Sequence, residues 1–181
     1  MSLKNTVTTY GSVTKFLHWL IFFLLLFMVT LGYFLDSISK ESQPLAYNIH
    51  KLTGLTILVL MILRAIWAYT NPKPRLPFGT LPWQRTAEHV VQILLYLVVL
   101  AMPIVGWIGS VASGRPPLVG DVSLTLPIAL SKVLAKTMFE IHSLLAIVLI
   151  VLVSIHVLAV LYHCFIKRDN VLRRMMPGRT N

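Results

Sequence analysis

Residues 139–166 read FEIHSLLAIVLIVLVSIHVLAVLYHCFI, and the reading of this stretch decides the fold. A helix rises about 1.5 Å per residue, so roughly 20 apolar residues cross the ~30 Å hydrocarbon core of a bilayer. This run is long enough to cross and to protrude. Inside it, His142 and His156 stand 14 residues apart. Fourteen steps of ~100° leave them about 40° apart in azimuth and about 21 Å apart along the axis. One helix therefore carries two imidazoles on one face, one near each side of the membrane.

Three further runs have the same character: residues 16–35, residues 50–69 with Arg64 inside, and residues 89–113. Across the 181 residues, 56% are hydrophobic and the mean hydropathy is +0.78. Charged residues make up 12%, where a soluble domain carries about a quarter, and they are segregated into short segments between the runs. The predicted fold is all-α, an integral membrane four-helix bundle forming a single domain over residues 1–181.

The connections hold the breakers: Gln43-Pro44, Asn71-Pro72-Lys73-Pro74 with Pro77 and Pro82, and Gly114-Arg115-Pro116-Pro117 through Pro127. Proline cannot continue a helix without losing a hydrogen bond. Pro103 falls inside the third run and is expected to kink it, and residues 128–136 are expected to form a short amphipathic helix along the outer surface. Residues 16–35 are too long for a signal-peptide core and lack a small-x-small site after them, so they read as a true span.

The net charge of +10 would suggest nucleic acid in a soluble protein. Here the basic residues flank apolar runs, where topology and anionic lipid headgroups explain them, so membrane lipid and no nucleic acid is the expected partner. With the N-terminus inside, Lys4, Lys15, Lys73, Arg75, Arg85, Lys167, Arg168, Arg173, Arg174 and Arg179 are cytoplasmic. Only Lys40, Lys51, Arg115, Lys132 and Lys136 face outward. Ten against five favours both termini in the cytoplasm. The single cysteine, Cys164, excludes an intrachain disulfide and a cysteine-held iron–sulfur cluster.

All six histidines lie in or at the ends of the runs: His18, His50, His89, His142, His156 and His163. Ionisable groups in a membrane are costly and usually face the bundle interior for a reason. His50, in the first turn of an outside-to-inside helix, lies at the level of His142. His18 lies in the cytoplasmic half, towards His156. Two cross-helix pairs stacked along a bundle suit two haems, each iron bound by two imidazoles. Spacing leaves other readings open: a hydrogen-bonded packing residue, or a metal or proton relay in a haem-free transporter. It also leaves open whether His163, seven residues beyond His156, is the better partner for His18. His89 is a weaker candidate.

Several motifs, in order, resemble the bacterial cytochrome b561 family: Lys15-Phe16-Leu17-His18-Trp19-Leu20, then Asn48-Ile49-His50-Lys51-Leu52-Thr53-Gly54 and Val59-Leu60-Met61-Ile62-Leu63-Arg64. Tyr96 through Gly106 with Pro103, His142 followed by His156, and the tail Lys167-Arg168-Asp169-Asn170 to Met175-Met176-Pro177 continue the likeness. It spans residues 10–178 and is greatest to the superoxide oxidase type, which passes electrons from superoxide to ubiquinone in the bacterial inner (plasma) membrane. The resemblance implies two haem b groups in the bundle core, with His18 and His156 as axial ligands of the cytoplasmic iron and His50 and His142 of the periplasmic one. It moves His163 to a quinone site. A member of the family that this chain resembles carries two adjacent histidines there; here the second is Cys164.

Irons with two histidine ligands have no open position, so outer-sphere electron transfer is the expected chemistry. Lys132, Lys136, Lys51 and Arg115 are candidates to draw the superoxide anion to the outer haem edge. Arg64, 14 residues after His50, is a candidate partner for a haem propionate, and Trp19 and Trp67 read as interfacial aromatics. The competing reading is an electron-transfer subunit anchoring a dehydrogenase or hydrogenase.

Overall fold

The computed structural model describes residues 2–76 and 79–178. Pro77 and Arg179, counted above as a breaker and an inner-side charge, lie outside them. Helices α1 (Ser12–Phe34), α2 (Gln43–Thr70), α3 (Pro82–Ala112) and α4 (Lys132–Tyr162) are each long and apolar enough to cross a membrane. A 3-10 turn, Leu35–Ser37, follows α1, and a two-stranded hairpin of β1 (Leu118–Val119) and β2 (Val122–Ser123) lies between α3 and α4. Helix α4 widens into a π-helical turn at His163–Lys167, and a short helix α5 (Val171–Met175) follows.

Local chemistry sets the helix starts. Pro44 and Pro82 occupy first-turn positions of α2 and α3, where a missing N–H has no intrahelical partner to lose. The Gln84 side chain also accepts from the Leu81 N–H at 3.1 Å. The Ser131 hydroxyl caps α4 by accepting from the Leu134 N–H at 3.2 Å. Two expectations need correction here. Residues 128–131 are irregular, and Lys132 opens α4 itself, because Ser131 caps the helix while its own N–H donates to the Ala112 carbonyl at 3.0 Å. Helix α3 begins at Pro82 rather than His89, since hydropathy marks the apolar part of a helix and not the polar turns before it. It continues through Pro103.

Helix α1 packs along α2, α2 along α3 and α3 along α4, leaving a looser seam between α1 and α4. The packed centre is Ile21, Ile57, Met61, Val98, Val99, Leu149 and Leu152, with Leu149 1% and Ile57 2% exposed. Leu149 is midway along α4 between His142 and His156, so this apolar plug separates the two levels at which histidines enter. Lipid tails are as apolar as leucine, so packing rather than water exclusion holds such a centre together. The opposite faces carry Phe23, Val59, Leu97, Ile147 and Leu158, each more than half exposed; they are the lipid-facing surface of a multi-pass membrane protein.

Both termini meet at one end of the bundle, the terminal face. There Asn5 donates to the Pro72 carbonyl at 3.1 Å and Arg75 N–H to the Val7 carbonyl at 3.0 Å. The indole of Trp67 donates to Thr14 Oγ1 at 3.1 Å, and that of Trp19 to the Met175 carbonyl at 2.9 Å. These tryptophans tie the terminal segments onto α1 and α2. At the loop face, Asn48 clamps Leu118 twice, accepting from its N–H at 2.8 Å and donating to its carbonyl at 2.9 Å.

Candidate functional site

Four of the six histidines meet in two cross-helix pairs. Near the loop face, His50 on α2 faces His142 on α4, with ring centroids 6.2 Å apart. Near the terminal face, His18 on α1 faces His156 on α4, with centroids 6.3 Å apart. Helix α4 supplies one member of each pair, as its 14-residue spacing requires. The rings of each pair are inclined by 65–66°. No hydrogen bond joins them, and centroids more than 6 Å apart leave room between the two imidazoles for a metal ion, whose bonds to imidazole nitrogen are about 2.0 Å long. Among the described residues no cluster of three or more His, Cys, Asp or Glu side chains is placed to hold a metal ion. Two imidazoles without a third protein donor fit a metal whose other coordination positions a macrocycle fills. They do not fit a structural zinc site, which takes four protein ligands.

The loop-face pair is held from behind. His142 Nδ1 lies 3.0 Å from the Met102 carbonyl. A carbonyl only accepts, so Nδ1 carries the proton and Nε2 keeps its lone pair for a metal. Gly106 makes this approach possible: a Cβ there would sit 3.0 Å from both Cε1 and Nδ1 of His142. Gly32 on α1 does the same for His50, where a Cβ would come within 3.2 Å of Cε1. These glycines are needed for space, not for backbone conformation. Sequence reading missed this role, although Gly106 closes one of the motifs quoted above. His18 and His50 have no such anchor; their Nδ1 atoms are buried without a partner.

The other candidates fall around the pairs. His163 stands in neither: its Nδ1 is 2.5 Å from an Asp169 carboxylate oxygen, inside the chain reversal formed by the π turn and by Arg168 at φ 52°. His89 lies in α3 outside both ring pairs. Arg64 stacks over the Tyr96 ring at 5.7 Å and lies within electrostatic reach of His18 and His156. At the terminal face, burial and then the Glu88 carboxylate raise the Tyr10 phenol pKa above its ordinary value of 10.0, with Arg64 and Arg174 opposing. At the loop face, Lys51 Nζ donates to the Arg115 carbonyl at 2.7 Å, and Lys136 pairs loosely with Glu140 at 3.8 Å. Lys132 and Lys136 both stand at the start of α4, whose first turn has no acidic residue.

The family model for prokaryotic cytochrome b561 matches residues 9–178. The chain belongs to the prokaryotic cytochrome b561 family. It is 32% identical to cytochrome b561 homolog 2 of Escherichia coli (strain K12), over 97% of this chain and 95% of that protein. It is 29% identical to a probable superoxide oxidase, CybB, of Yersinia pestis, over 90% and 93%. A cytochrome b562 of Cereibacter sphaeroides is 27% identical over 90% and 92%. This cytochrome b561 is thus a membrane electron-transfer protein of a family that binds b-type haem, and its two histidine pairs suit that group in spacing and donor chemistry.

Proposed function

We propose that this cytochrome holds two haem b groups, one between His50 and His142 and one between His18 and His156, and carries electrons from superoxide on the loop side to ubiquinone on the terminal side. The observation that carries the reading is the similar spacing, 6.2 and 6.3 Å, of two imidazole pairs separated by an apolar plug. The haems, when bound, supply one-electron carriers at two depths. The protein's part is to saturate both irons with imidazole, so that small molecules exchange electrons at the haem edge without binding the metal. The plug of Ile57, Leu149 and their neighbours keeps water and ions out of the path between the two levels.

The likeness to a probable superoxide oxidase supports superoxide as donor. So does the charge at the loop face. The α4 N-terminus carries positive macrodipole charge, and Lys132 and Lys136 add to it rather than cancel it. Such an arrangement does nothing for helix stability and attracts small anions. Both termini then face the cytoplasm of a bacterial inner membrane, and the loop face the periplasm.

The test is to purify the chain in detergent, count haem b per polypeptide and follow its reduction by superoxide with and without a short-chain ubiquinone. Two haems and quinone-dependent turnover are expected; one haem, or reduction by superoxide without turnover, refutes the reading. Replacing Lys132 and Lys136 together with glutamine should lower the second-order rate with superoxide about tenfold at low salt, within the range for electrostatic steering. The variant should lose most of the salt dependence. An unchanged rate and salt slope would mean that these lysines serve lipid phosphates alone.

A further inference from the structure

Helix α3 carries a polar stripe in its terminal-side half. Glu88, Gln92 and Tyr96 recur every four residues and so lie on one side of the helix, one above the other. That side faces the bundle. Val90, Ile93, Leu94 and Leu97, between them in sequence, are exposed, whereas Val99, three turns beyond Glu88 on the same side, belongs to the apolar plug. Glu88 is half-buried at the terminal end, and about 12 Å of helix separates it from Tyr96. Polar and ionisable groups that point inward at membrane depth are costly and mark pathways for ions or protons.

The stripe is tied down at both ends. Lys73 Nζ, on the connection between α2 and α3, lies 3.1 Å from Glu88 Oε1 and donates to Gln92 Oε1 at 2.9 Å, so one ammonium draws the two side chains together. At the inner end the Arg64 guanidinium lies 5.7 Å above the Tyr96 ring. Tyr10, from the segment before α1, is within electrostatic reach of Glu88, Arg64 and Tyr96, and Glu88 and Arg64 are both within reach of His156. A polar file thus leads from the terminal surface towards the level of the His18–His156 pair. Among the six acidic residues, Asp36, Glu41, Asp121 and Glu140 belong to the loop face. Asp169 is engaged by His163 Nδ1 and by the Val171 N–H at 3.1 Å. Glu88 differs from it in being open to water, with a side chain 38% exposed against 20%.

We propose that Glu88 takes up protons at the terminal face and that Gln92 and Tyr96 carry them inward to the quinone being reduced. The proposal deepens the reading of quinone reduction on the terminal side and rests on it. Two superoxide anions give up one electron each and leave as two molecules of dioxygen. The quinone takes those two electrons and two protons and becomes quinol. Both protons come from water where the stripe opens at the terminal face. The Glu88 carboxylate takes each proton from solvent, passes it inward and returns to its anion. The Tyr96 hydroxyl gives its proton on and is reprotonated from the Glu88 side. Gln92 keeps the step between them polar, and Lys73 holds the carboxylate and the amide side by side.

The experiment measures two rates in purified wild-type, Glu88→Gln and Glu88→Asp proteins: haem reduction after a single mixing with superoxide, and steady-state reduction of a short-chain ubiquinone. Glu88→Gln keeps the shape of the side chain and loses the exchangeable proton. It should reduce its haem at the wild-type rate while quinone turnover falls about tenfold, less than the ~10²–10⁴-fold that a direct proton donor contributes. Glu88→Asp should recover most of the turnover. Formate buffer, a small proton carrier, should relieve Glu88→Gln and leave the wild type unchanged. Tyr96→Phe, which removes only the hydroxyl, should repeat the Glu88→Gln pattern. Equal quinone turnover in wild type and Glu88→Gln overturns the proton route while leaving the electron path intact. A loss that neither aspartate nor formate relieves shows that the ion pair is structural and overturns it as well. A wild-type protein that reduces no quinone instead removes the reading beneath it. Should Glu88→Gln fail to assemble, the two rates of Tyr96→Phe decide the matter.

Discussion

Replacement of His156 by alanine is expected to halve the haem content and to abolish quinone-dependent turnover with superoxide, while leaving a haem that superoxide still reduces. The reciprocal His142→Ala should keep the terminal-side haem and lose reduction by superoxide. The asymmetry follows from the position of the two residues on one helix: each completes a different pair, with His18 at 6.3 Å and with His50 at 6.2 Å. An iron with one imidazole lost gains an open position, so its spectrum should change from low-spin to high-spin wherever the haem is retained. Replacing both histidines should give a colourless protein. A double variant that keeps its pigment would remove the basis of the proposed electron path, since α4 is the only helix common to both pairs.

The second large effect is expected at Gly106, which has no chemistry of its own. A Cβ there stands 3.0 Å from two atoms of the His142 ring, tighter than ordinary van der Waals contact. Alanine requires a shift of a few tenths of an ångström. Valine adds two methyl groups that have no such escape, and overpacking of this kind costs about 1–3 kcal/mol. The imidazole also loses its bond to the Met102 carbonyl, and losing the group that orients a metal ligand typically costs about 10–100-fold in affinity. Gly106→Ala should therefore retain both haems with a small perturbation. Gly106→Val should lose the loop-side haem selectively, with helix content by circular dichroism unchanged. Equal haem content and identical spectra in both variants would show that the contact between α3 and His142 does not seat the ligand.

Much of this arrangement was readable from the chain. The four spans follow from hydropathy, because a bilayer of fixed thickness demands helices of fixed length and leaves charge only at their ends. That His142 and His156 share a face follows from helical repeat alone, since the geometry within one helix is local and does not depend on neighbours. Spacing did not determine which imidazole faces which. On a uniform α4 the depth of His163 suits His18 slightly better than that of His156, and geometry alone does not choose between them. The π turn starting at His163 and the reversal at Arg168 bring that ring to Asp169 instead, and no periodicity in the sequence announces a widened turn. Sequence pattern likewise places Lys132 in a separate surface helix, whereas the Ser131 cap makes it the first residue of α4.

The sequence by itself determined a membrane bundle with histidines at two depths and the family to which it belongs, because hydropathy and helical periodicity are properties of single segments. Only the tertiary structure decided that His50 faces His142 and His18 faces His156, and that Gly106 and Gly32 clear space for the rings of the first pair. Those facts depend on the depth and rotation at which separate helices pack, and packing is a relation between segments that no single segment encodes.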